Sequence, residues 1–77
     1  MPRLPKERFN PALVAERVDV QLALLRIDKH ILASKMDMPI RTLNHKLANG
    51  YWTLEELVNL FRITKMPDAY VLMIFGR

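Results

Sequence analysis

The chain contains no cysteine, so disulfide staples and thiolate metal sites are excluded. A small fold without disulfides fits the cytosol better than secretion. No apolar run approaches the roughly 20 residues needed to cross a membrane as a helix. The opening stretch, MPRLPKERFNP, is polar and broken by proline, which is not the pattern of a signal peptide. His30 and His45 have no carboxylate partner at ligand spacing, so no metal site is expected. No nucleophile or paired carboxylate accompanies them, so no catalysis is expected either. Strand-like alternation, internal repeats and low-complexity segments are missing as well. These absences predict a cytoplasmic, non-enzymatic protein with no cofactor, no membrane association and no small-molecule ligand.

What is present is apolar and mildly basic. Seventy-seven residues allow one domain and one small core, and a hydrophobic content of 51% is enough for a helical fold without metal support. Twelve Lys and Arg against eight Asp and Glu leave a net charge of +4, which suits an anionic partner without requiring one.

The punctuation predicts five helices and an all-α fold. Residues 1–9 carry two prolines and the basic residues Arg3, Lys6 and Arg8, and read as a flexible arm. Asn10-Pro11 is a helix start, with asparagine as cap, proline at the first helical position, and Phe9 and Val14 spaced for a hydrophobic staple. The helix runs to Leu25 or Arg26, with Val14, Val18, Leu22 and Leu25 facing the core. Asp28 caps a second helix ending near Met36. Asp37 sits at the turn and tolerates left-handed backbone, and Pro39 fits the first turn of a third helix. That helix ends near Ala48, with Asn49-Gly50 as the stop. Thr53-Leu54-Glu55-Glu56 is a capping box that opens a fourth helix burying Leu57, Leu60 and Phe61. After Met66-Pro67-Asp68, Ala69 to Phe75 forms a last short apolar helix.

The segment from Asp28 to Gly50 carries the most information. Its first helix keeps Leu32, Ala33 and Met36 on one side. Its second hides Leu43 and Leu47 and presents Ile40, Arg41, Asn44, His45 and Lys46 outward. Arginine and asparagine on the free face of a braced helix are suited to base edges in a DNA groove, although the same residues also fit the solvated side of an ordinary helix.

With these elements in order, the chain resembles the helix-turn-helix proteins of the Cro/lambda-repressor class, particularly the small phage and bacterial regulators. The features that carry the resemblance are Leu32-Ala33, the turn Asp37-Met38-Pro39, the helix Ile40 to Ala48, Asn49-Gly50, and Thr53-Leu54-Glu55-Glu56-Leu57. They span roughly residues 12 to 75, with the motif itself at about 28–48 inside a domain of residues 10–77. Two positions depart from the family pattern: Asp37 stands where the turn usually has glycine, and Pro39 where the recognition helix usually has a serine or threonine cap. The resemblance implies a compact five-helix, lambda-repressor-like DNA-binding domain. Ile40, Arg41, Asn44 and His45 would then approach bases. Lys29, His30, Lys46, Asn49 and Tyr51 would contact phosphates, which fix register without reading sequence. It further implies a repressor that occupies an operator, an inverted repeat if the protein is a homodimer.

Three further segments complete the reading. Arg3, Lys6 and Arg8 are candidates for minor-groove contact by the arm. Trp52, just before a helix cap, should pack beneath its loop, leaving Tyr51 as the better phosphate candidate. In the terminal helix Val71, Leu72 and Phe75 are expected against the first and fourth helices, and Tyr70, Met73 and Ile74 at a dimer surface. Competing functions are a protein-interaction module, such as an antitoxin or inhibitor, and a nonspecific nucleoid-type binder.

Overall fold

The computed structural model describes residues 3–5 and 8–76. Among these the chain forms five helices and no strand: α1 (Pro11–Leu25), α2 (Lys29–Lys35), α3 (Ile40–Asn49), α4 (Leu54–Thr64) and α5 (Asp68–Phe75). Each start has a local cause. The Asn10 side chain accepts from the Leu13 N–H at 3.1 Å, and Asp28 accepts from the Ile31 N–H at 3.0 Å. The capping box is complete, with Thr53 Oγ accepting from Glu56 N–H at 3.1 Å and Glu56 Oε1 accepting from Thr53 N–H at 2.9 Å. α3 and α5 begin instead after Pro39 and Pro67, whose rings fix φ at -63° and -60°, and neither start has a side-chain cap among the described residues.

Three helices end in one way. In α1, α2 and α4 the residues Arg26, Asp37 and Lys65 adopt left-handed backbone, with φ of 58°, 57° and 54°. The next residue's N–H then bonds back five positions, Ile27 to Leu22, Met38 to Ala33 and Met66 to Phe61, at 2.9–3.1 Å. This is a Schellman closure, and the apolar residue just after the left-handed one is its usual companion. Glycine supplies the left-handed residue only at Gly50, with φ 72°, ending α3.

Packing follows the apolar faces. α1 packs against α3, α4 and α5, and α2 against α3 and α4. Val14, Val18, Leu22, Leu32, Leu43, Leu57, Leu60 and Ile74 meet in the centre. The radius of gyration is 11.4 Å, which equals the roughly 11.5 Å of a compact chain of this length. Leu25, expected to face the core with its three partners, is only half-buried. Gln21 lies nearer the core and is buried, because its Nε2 donates to the carbonyls of Thr64 and Lys65 at 3.0 and 3.1 Å. Those are C-terminal carbonyls of α4 that have no partner within their own helix.

α5 is rotated from its expected setting. Ile74, assigned to a dimer surface, is fully buried, and its carbonyl accepts the Asn10 N–H at 2.8 Å. Leu72, assigned to the core, is 71% exposed. Phe75 meets Phe61 edge-on at 6.1 Å, while the Arg17 guanidinium lies 4.4 Å over the half-buried Tyr70 ring. These contacts turn Leu72 and Met73 outward together.

Ala33 is buried on the helix that packs against α3. Ala33→Leu forces extra bulk into this crossing, and denaturation should show a loss of about 1–3 kcal/mol of stability. Undiminished stability in that variant would mean that the two helices are not held this closely.

Candidate nucleic-acid interface

α3 carries Arg41, His45 and Lys46 and no acidic residue. Leu43 and Leu47 are buried beneath it, which orients the helix, and Arg41, Thr42, Asn44, His45, Ala48 and Asn49 are exposed. Arg41, Asn44, His45 and Ala48 follow i, i+3, i+4, i+7 spacing and so share one stripe. Among the described residues, the side chains of Arg41 and Asn44 make no intramolecular hydrogen bond or ion pair.

The end of the stripe is organised differently. Asn49 Nδ2 donates to the His45 carbonyl at 3.0 Å and lies 3.1 Å from His45 Nδ1. The His45 and Tyr51 rings are 5.6 Å apart, and the Arg3 guanidinium lies 4.4 Å over Tyr51. This layer joins the α3–α4 loop to the N-terminal segment. That segment, read as a flexible arm, is tied in where it is described: Leu4 N–H donates to the Trp52 carbonyl at 2.7 Å, and Phe9 is buried. Arg3 thus lies beside the C-terminal end of α3. Arg8 is exposed, and Lys6 falls outside the described residues.

Two residues expected to point outward do so only in part. Ile40 is half-buried and packs against the core, so only part of it faces solvent. Lys46 turns toward α4, where Nζ donates to Glu56 Oε1 and to the Tyr51 carbonyl, both at 3.0 Å, with the side chain only 18% exposed. Its ammonium is drawn to the one carboxylate that the capping box places within reach. At the start of α2, His30 is exposed and Lys29 lies 3.7 Å from Asp19 in a solvent-facing pair. Such pairs contribute little and leave the lysine available to another anion. Trp52 is fully buried, as expected from its place before the cap.

Arg41, Asn44 and His45 therefore share the exposed stripe of α3, with Asn49, Tyr51 and Arg3 gathered at its C-terminal end and Lys29 and His30 at the start of α2. Among the described residues no group of three His, Asp or Glu side chains could hold a metal ion, and no helix is long and apolar enough to cross a membrane. No family model, curated protein or solved structure matches the chain.

Proposed function

We propose that the protein is a sequence-specific binder of duplex DNA, built on a helix-turn-helix of the Cro/lambda-repressor kind, and that it represses transcription by occupying an operator. The observation that carries this reading is the pair Arg41 and Asn44: exposed, with side chains that have no partner among the described residues, and mounted on a helix whose opposite side is locked by buried Leu43 and Leu47. Arginine suits the O6 and N7 of guanine, and asparagine the N6 and N7 of adenine. His45 lies on the same stripe, and Ile40 adds at most an apolar edge to it. Lys29, His30, Asn49, Tyr51 and Arg3 supply phosphate contacts around it, which position the helix.

A homodimer would present α3 twice, to half-sites about one helical turn apart in an inverted repeat. Leu72 and Met73, exposed at 71% and 54%, are the side chains that would meet across it, in place of Ile74. The same two residues favour a second reading, a protein-interaction module whose working surface is α5. Selection of bound sequences from a random duplex library, combined with mass measurement of the complex, separates the two. A regulator enriches a defined sequence and binds it far more tightly than random duplex. A nucleoid-type binder enriches none, and a protein-interaction module retains no duplex.

A further inference from the structure

We infer that Lys46 is a positioning residue that sets how α3 is presented, and not a phosphate ligand. This rests on the proposed DNA reading by α3. Lys46 holds the following turn at two points. Its carbonyl accepts the Gly50 N–H at 2.7 Å, and its Nζ donates to the Tyr51 carbonyl at 3.0 Å. The same Nζ donates to Glu56 Oε1 at 3.0 Å. That oxygen also accepts the Thr53 N–H at 2.9 Å, so one carboxylate ties the cap of α4 to the last turn of α3. Lys46 and Glu56 side chains are 18% and 27% exposed, and both line the open groove bounded by the α2–α3 turn, α3 and α4.

An ammonium has three donors, and two are committed here. To reach a phosphate, Nζ would have to abandon both, giving up its ion pair with a half-buried carboxylate and its bond to the Tyr51 carbonyl. The geometry favours the tie. Its consequence is directional: the angle between α3 and the loop carrying Tyr51 is fixed across the left-handed Gly50, so Arg41 and Asn44 meet the duplex already aimed. Pre-set geometry of this kind reduces the ordering cost of binding.

The test compares wild type, Lys46→Met, Glu56→Gln and the double variant on the selected duplex and on random duplex over a salt series. Methionine keeps the aliphatic stem, and glutamine still serves a capping box. Both single variants should lower the ratio of selected to random affinity, on the order of threefold to tenfold, and the double variant should add little, as expected for coupled neighbours. The slope of log affinity against log salt should stay unchanged in Lys46→Met. In the free proteins, both variants should exchange the Gly50 amide faster.

A phosphate-binding Lys46 gives the opposite pattern. Lys46→Met would then weaken all duplexes evenly and make the slope shallower by about 0.9. Glu56→Gln would release the lysine and tighten binding to every duplex. That result overturns the inference, as does an unchanged affinity ratio in both variants. Failure of the DNA reading itself is recognised separately, by a wild-type selection without a preferred sequence. Faster Gly50 exchange would then still report the tie, but the aiming role would be overturned.

Discussion

Replacing Trp52 by alanine should lower the melting temperature by about 12 °C or more. Removing a fully buried tryptophan costs about 3–5 kcal/mol, and each kcal/mol shifts the midpoint of a domain this small by about 4–8 °C. The side chain carries this loss. The ring is fully buried in the core, and Lys46 Nζ lies 5.9 Å from it; the Trp52 carbonyl, which holds the N-terminal segment through Leu4, is backbone and stays in the variant. Its Nε1–H has no partner among the described residues, so the hydrocarbon bulk is what stabilises. Trp52→Phe should therefore cost clearly less than Trp52→Ala. Thermal unfolding followed by circular dichroism measures both. A melting point within a few degrees of wild type for the alanine variant would show that the α3–α4 loop is not anchored by this ring.

Arg41→Ala should weaken binding to the selected duplex by roughly 5- to 150-fold, the equivalent of about 1–3 kcal/mol for one bidentate base contact. Discrimination should relax at one base pair and persist at the others. Thermal stability should stay within about 0.5 kcal/mol of wild type, because the side chain is exposed and bonded to nothing within the described residues. Repeating the duplex selection with the variant reads both quantities. If affinity and base preference match wild type, α3 does not face the bases and the proposed reading fails at its centre.

Much of the scaffold was legible because its signals are local. Asn10-Pro11, Asp28 and the Thr53–Glu56 box act within one helical turn, and each starts its helix where the side-chain chemistry requires. Asp37 was legible as a left-handed turn residue. Arg26 and Lys65 were not, since neither favours that conformation by itself. The available signal was the apolar residue that follows each, Ile27 and Met66, which completes the closure by packing back on the helix. Gln21 had a comparable signal, a polar residue spaced with Val14 and Val18 on the core side of α1. Its partners, the carbonyls of Thr64 and Lys65, are 43 and 44 positions away, beyond the reach of any local pattern.

The candidate site shows the same division. Arg41 and His45 lie far from Leu43 and Leu47 around α3, so helical periodicity alone turns them to solvent. Asn44 and Lys46 flank those leucines symmetrically, each roughly 80° from the middle of the apolar face by helix geometry. By itself the sequence makes them equivalent, and predicts both to point outward. Packing separated them: the α4 cap and the Tyr51 loop lie on the Lys46 side and offer a carboxylate and a carbonyl, while Asn44 remains exposed. α5 presents the extreme case, since Tyr70 to Phe75 is apolar on every side and no periodicity selects its inner face. The choice of Ile74 over Leu72 was made by the Asn10 N–H and the Phe61 ring waiting opposite. The sequence by itself determined the number of helices, most of their caps and the clearly apolar faces, because these depend on interactions within a few residues. Tertiary structure decided every residue at the border of a face, because there the free energy depends on what the neighbouring element presents.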